Sequence, residues 1–293
     1  MNPLRIAAPF RRLTAFFAIA SALPVSGADP SAEPKAVRTT LTTDLYARAA
    51  PNGVMLSVGL VRHWNETDGD SALLRGRYAE LGAAVGSNPA YAQASAFGEW
   101  VPIAPLQLRA QCDLLGFYGK NGALLQFPSA SSPFGDSQVK ALSGTEQSGV
   151  GYRLLAMPVL RLLLGPVLLR NETDLAWYRL SGKEGWYYEW EYDTLLAGKS
   201  DFIVSDRFAV LARLWHGAGE SALLAGPAYE VTHAAKAGLT RQRVEGIVFW
   251  SPAERLGSIA RPRLLAILGV NIEDPNRKGE VFVVTGVGGD LDL

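Results

Sequence analysis

The sequence predicts an all-β chain, an antiparallel up-and-down transmembrane β-barrel of about 12–14 strands. Three observations predict it. From about residue 38 onward, segments with apolar and polar side chains in alternation follow one another between clusters of Gly, Pro, Asn and Ser, and no stretch sustains a helical period. In the most regular segments one face is aromatic or aliphatic and the other charged. Over 186–193, Trp186, Tyr188, Trp190 and Tyr192 oppose Tyr187, Glu189, Glu191 and Asp193; over 106–118, Leu106, Leu108, Ala110, Cys112 and Leu114 alternate with Gln107, Arg109, Gln111 and Asp113. A soluble sandwich would bury one of these faces, whereas a membrane strand turns the first to lipid and the second to the lumen. Finally, beyond the N-terminal leader no run approaches the ~20 apolar residues of a spanning helix; the nearest, 154–169, is broken by Pro158, Arg161 and Gly165-Pro166.

The elements follow in order. Arg5, Arg11 and Arg12 precede an apolar stretch over 13–23 and the small residues Ser26-Gly27-Ala28. That stretch is too short to cross ~30 Å of hydrocarbon as a helix, so residues 1–28 read as a signal peptide cleaved after Ala28. Residues 29–37, with Pro30 and Pro34, read as a flexible periplasmic lead-in, and 38–293 as the barrel. The single cysteine, Cys112, excludes an internal disulfide and lies too far from the cleavage site to carry a lipid. With 28 basic and 28 acidic residues there is no basic footprint for nucleic acid.

Strand 54–62 leaves the turn Pro51-Asn52-Gly53, and 78–86 turns at Ser87-Asn88-Pro89 into 91–101. After 106–118 and the turn at 119–122, residues 129–148 form the longest loop, rich in Ser, Gly and Pro. Segments 150–157, 159–170, 174–180, 186–193, 202–215, 221–233, 240–250 and 264–273 follow, with 280–287 as a last strand. Gly165-Pro166 and Gly226-Pro227 read as bulges or bends, because proline removes a ladder donor.

Read as inward or outward, the alternation lines the lumen with Glu80, Arg109, Asp113, Arg153, Arg161, Glu189, Glu191, Asp193, Arg207, Arg213, Arg243 and Glu245. Isolated charges there would be costly to desolvate, so Arg–carboxylate pairs are expected to meet across the lumen. Trp100, Trp177, Trp186, Tyr188, Trp190, Tyr192, Trp215 and Trp250 are expected in the membrane-interface girdles, where amphipathic rings sit at headgroup level. The histidines His63, His216 and His233 lie in no HExxH context and there is no GxSxG elbow, so neither metal, cofactor nor catalytic residue is expected. The one suggestion of lipid hydrolysis is His63 near Asn65 and Ser71.

By leader, aromatic girdle and alternation over most of residues 38–288, the chain resembles Gram-negative outer-membrane β-barrel proteins as a class. It departs from them at its end, where Leu291 and Leu293 keep the alternation in place of a terminal Phe or Trp. The resemblance implies a place in the outer membrane, with the lipid bilayer and the outer-membrane assembly machinery as partners. The reading that follows is a small porin-like channel with a mixed-charge lumen for small polar solutes. The alternatives are a non-conducting structural or scaffold barrel, a barrel-type lipid hydrolase, and a soluble lipocalin-like periplasmic carrier.

Overall fold

The computed structural model describes residues 37–65, 71–74, 76–217 and 221–293; the expected signal peptide, residues 1–28, and all of the expected lead-in except Val37 lie outside them. The strands are β1 (Val37–Ala49), β2 (Gly53–Asn65), β3 (Tyr78–Ser87), β4 (Tyr91–Ile103), β5 (Leu106–Tyr118), β6 (Gln126–Phe127), β7 (Ser148–Leu164), β8 (Val167–Leu180), β9 (Trp186–Glu189), β10 (Thr194–Ala197), β11 (Asp201–His216), β12 (Ala222–Ala234), β13 (Leu239–Ser251), β14 (Arg255–Leu256), β15 (Ile259–Glu273) and β16 (Val281–Asp292). One short helix, α1 (Asp136–Ala141), lies between β6 and β7.

Twelve of these strands form the wall, in the order β1, β2, β3, β4, β5, β7, β8, β11, β12, β13, β15, β16. The ring closes where β16 pairs with β1, from Thr40↔Asp292 to Ala49↔Val283, so no edge is left unpaired. All wall pairings are antiparallel and, apart from the closing pair β1–β16, join wall strands that follow one another along the chain, the up-and-down barrel expected from the alternation. Closure satisfies the backbone within the wall, which is the condition for β-structure to lie in hydrocarbon.

The faces divide as a membrane barrel requires. Along β7, Leu154, Leu160 and Leu162 are exposed while Arg153, Leu155, Met157, Val159 and Arg161 are buried. Leu56, Leu81, Val85, Leu114, Phe208, Val248 and Leu268 continue the exposed apolar band around the ring. That exterior is the reverse of a lipocalin-type soluble barrel. Rings cluster at both rims of the band. At the rim that holds Leu293, Trp64 and Trp100 stand two strands apart across Ala79, and Trp215 and Trp250 flank Leu223. At the opposite rim stand Tyr118, Tyr152, Trp177 and Phe202.

Two expectations are corrected. Pro158 does not end a strand: β7 runs through it to Leu164, and Gly165-Pro166 is the hairpin turn into β8. Pro158 keeps its partner Leu108 on β5, while the β8 ladder passes from Ala156↔Leu175 to Val159↔Glu172, so the missing donor coincides with the gap. Gly226-Pro227 repeats the device inside β12, where the β11 ladder passes from Ala209↔Ala228 to Ala212↔Ala225. The backbone approaches so closely there that a Cβ on Gly226 would lie 2.0 Å from the Val210 carbonyl oxygen.

The second correction concerns the aromatic segment. Trp186, Tyr188, Trp190 and Tyr192 are not girdle residues and 186–193 is not a wall strand. β9 and β10 form a hairpin that, with β6, makes a separate three-stranded sheet. Tyr188, Trp190 and Tyr192 are buried, Tyr192 completely, among Tyr91, Leu115, Leu155, Met157, Ala176 and Tyr178 of the wall. With only four residues, β9 falls short of the ~9–11 that a tilted membrane strand needs.

Candidate functional site

The hairpin, within the loop 181–200 that joins β8 to β11, enters the lumen from the rim opposite Leu293. Loop 119–147 opens at the same rim and covers it: Phe127 pairs with Trp186, and the Phe134 ring lies 5.8 Å from that of Tyr188. The aromatic faces of the hairpin meet inward-facing aromatics of β4 and β8, with Tyr178 edge-on to Tyr192 at 6.2 Å and Tyr91 at 6.4 Å from Trp190. Only a small gap of about 30 Å³ remains between them, bordered by Tyr91, Phe117, Tyr178, Glu189 and Trp190.

The hairpin tip, Trp190-Glu191-Tyr192-Asp193, carries the charges that hold it. Glu191 accepts a 2.5 Å bond from Nη1 of Arg153, whose Nε donates to Asp113 at 2.8 Å. Asp193 is gripped from four directions: Oδ2 lies 3.0 Å from Arg277 Nε, 3.5 Å from Arg241 Nη1, 3.6 Å from Arg243 Nη2 and 3.7 Å from Arg48 Nη2, and Oδ1 accepts from the Tyr188 hydroxyl at 2.5 Å. Burial alone would raise the Asp193 carboxyl, but Arg277, Arg241, Arg48 and Arg243 reverse that and hold it well below the usual carboxylate range. Glu189 stands in the opposite situation. Burial pushes it up and neighbouring Glu191 adds to this, so that despite the Tyr192 N–H and Arg153 it titrates at about 7.

The remaining residues expected at the lumen fall as follows. Arg207 bonds Glu230 at 2.5 Å and lies 3.1 Å from Glu245. Arg243 also donates to Asn271 at 2.9 Å. Arg109 lies over the Phe97 ring at 3.8 Å and pairs with Glu99 at 3.4 Å. Glu80 meets His63 Nδ1 at 2.7 Å. Arg161 is buried on the inner face of β7, and Arg213 is half-buried at the register break of β11. Glu189, Glu191 and Asp193 lie inside the barrel on the inserted hairpin, not on the wall. His63 also faces inward, with Nε2 2.5 Å from Asn65, so it is directed away from lipid.

Several residues of the network were not singled out in the sequence. Arg48, Arg241, Glu230 and the Asp44–Arg263–Asp290 group, with contacts of 2.8 and 3.0 Å, sit at inward positions of the same alternation. Arg277 lies in the loop between β15 and β16, where no period marks it. Asp206 breaks the face rule: it points outward from β11 and accepts bonds from Thr173 at 2.6 Å and Asn171 at 3.0 Å. Among the described residues there is no cluster of acidic, His and Cys side chains able to hold a metal ion.

No protein-family model matches the sequence, and no curated protein matches it. Solved structures similar in fold include the β domain of the Bordetella autotransporter BrkA, 11% identical, covering 88% of this chain and 99% of that one with a TM-score of 0.44. The COG4313 outer membrane channel from Pseudomonas putida F1 is 8% identical, covering 91% of this chain and 100% of that one, also with a TM-score of 0.44. The KdgM porin is 6% identical, covering 85% of this chain and 98% of that one, with a TM-score of 0.39. At this identity no residue role passes from them to this chain. The closed ring and its apolar exterior already place the fold among transmembrane β-barrels of the outer-membrane class.

Proposed function

We propose that this protein is an outer-membrane barrel closed at rest by its own inserted hairpin, and that it admits small polar solutes when the hairpin leaves the lumen. The observation that carries the reading is the grip of Arg48, Arg241, Arg243 and Arg277 on Asp193. A buried carboxylate with several guanidinium partners is strongly held, yet its attachment is non-covalent and can be exchanged for water. Behind the hairpin the inner wall carries charges of both signs, which suits polar solutes without large net charge. The hairpin rim bears the longer loops and faces outward from the cell, because barrels of this class keep short turns on the periplasmic side. Insertion is by the assembly machinery that serves such barrels, and no catalytic residue is assigned.

Planar-bilayer recording on the purified chain tests this. The intact protein is expected to be silent, and a variant with 186–197 replaced by a short Gly-Ser turn to conduct while keeping its heat-modifiable gel mobility. Steady conductance of the intact protein would overturn the closed state. Silence of both proteins would favour the structural barrel, a reading supported by the second buried apolar cluster on the inner face, including Tyr46, Leu211, Phe249 and Phe282. Recovery in the soluble periplasmic fraction would remove the membrane location.

A further inference from the structure

Away from the hairpin, toward the rim that holds Leu293, one inward guanidinium lacks what every other part of the charge network supplies. Arg161 is 8% exposed, and its Nε, Nη1 and Nη2 have no hydrogen-bond partner among the described residues. Its direct cross-strand neighbour is another buried cation, Arg170 on β8. Like charges directly opposite on one face of an antiparallel pair repel, and a buried guanidinium without a counter-charge is more costly still.

The nearby carboxylates are already engaged. Glu172 pairs with Arg170, while Glu99 pairs with Arg109 and accepts a 2.6 Å bond from the Tyr78 hydroxyl. Three guanidinium groups thus share two carboxylates, and the uncompensated positive charge falls on Arg161. Gln107, from the adjacent β5, is almost fully buried, and its Oε1 is also without a hydrogen-bond partner. Its amide group, once rotated, offers a donor from the same inner face.

We infer that Arg161 and Arg170 form a binding site for a small oxyanion, of the phosphate or sulfate type, inside the barrel near the rim opposite the plug. A planar guanidinium with all its donors unengaged matches two oxygens of such an ion, and the ion converts the Arg161–Arg170 repulsion into shared attraction. Glu99 and Glu172 border the site and set its limit: they favour a compact anion that reaches the guanidinium groups over a bulky one that would approach the carboxylates. The site does not depend on whether the hairpin opens.

Equilibrium dialysis of radiolabelled inorganic phosphate against the folded full-length chain, in detergent and at constant ionic strength, tests the inference. One saturable site per chain is expected, displaced by sulfate and not by an equal concentration of chloride. Arg161→Gln should weaken it at least tenfold. In phosphate-free buffer the same variant should resist urea better than the parent, because it removes an unpaired buried charge, and added phosphate should reverse that order. Glu172→Gln, which releases Arg170 from its partner, should tighten phosphate binding several-fold, a direction that structural damage would not produce.

Absence of saturable binding, displacement by chloride as effective as by sulfate, or parent-like binding by folded Arg161→Gln would each overturn the site. If Arg161→Gln fails to reach the heat-modifiable folded form, Glu172→Gln decides: tighter binding supports the site, and unchanged or weaker binding overturns it.

Discussion

β5 and the inserted hairpin carry the same two-residue alternation and end in different places. β5 is thirteen residues long and pairs along its length with β4 and β7; Leu108 and Leu114 are exposed on its outer face, while Gln107 and Asp113 are buried on its inner one. β9 has four residues, and Tyr187 and Tyr188, on its opposite faces, are both buried. The difference teaches that alternation specifies two faces without specifying what covers them. Length and ladder partners decide: a strand long enough to cross is turned to lipid, and a shorter one made of aromatics must bury both sides.

The strongest test of the contrast removes the charge that anchors the hairpin. Asp193→Asn leaves Arg48, Arg241, Arg243 and Arg277 facing one another and should weaken docking by about 3–5 kcal/mol. Amide hydrogen exchange over 186–197 should accelerate while the wall amides stay protected; unchanged exchange would show that aromatic packing alone holds the hairpin.

On the wall, Leu154→Arg places a charge at an outward position that is 49% exposed, well inside β7. The expected cost is about 2–4 kcal/mol in urea unfolding from lipid vesicles. A negligible cost would mean that this face does not meet hydrocarbon.

The pH response separates the two regions again, because the acids of the hairpin titrate apart. Glu189 titrates at about 7 inside the docked hairpin. A raised carboxyl binds protons more tightly in the docked state, so its stabilising contribution is full at acidic pH and is lost as pH rises from the usual carboxylate range through about 7. Asp193, held low, contributes at higher pH and loses that contribution only in strong acid. Undocking of the hairpin, read from amide hydrogen exchange over 186–197 after correction for the intrinsic pH dependence of exchange, should therefore become more frequent as pH is raised through neutrality. Glu189→Gln should abolish that rise, and its persistence would show that another group carries the titration.

The smallest effect is expected at the rim. Leu108 pairs with Trp100 near the end of its strand, and Leu108→Lys should cost only about 0–1 kcal/mol, since charge is tolerated at the interface. A cost as large as that of Leu154→Arg would move the boundary of the lipid band.

Much of the wall was legible because its code is local. Val54, Leu56 and Leu60 on β2, or Leu106 to Asp113 on β5, show their faces within a few residues, and turn residues mark their ends. The hairpin was not legible as such, since Trp186, Tyr188, Trp190 and Tyr192 obey the wall's own rule; the available signal was that the run contains no aliphatic residue and is too short. Pro158 misled in the other direction, because proline reads as a break unless the ladder gap that absorbs it is known. For the site, Arg153, Arg207 and Arg243 followed from alternation, as did Asp113, Glu191, Asp193 and Glu245, whereas which of these charges would meet did not. Glu191 reaches Arg153 and Asp193 reaches Arg48 only through a loop that folds back, a long-range event with no period. Arg277, in a turn, gave no sign of itself.

Asp193 draws its grip from both ends of the chain: Arg48 belongs to the first strand, while Arg277 arrives just ahead of the last. During synthesis and insertion, a sheet whose two margins have not yet met can offer the hairpin only part of its anchorage. The complete set of partners therefore exists only where β1 and β16 have met, so the anchorage of the hairpin and the closure of the ring depend on the same two margins of the sheet.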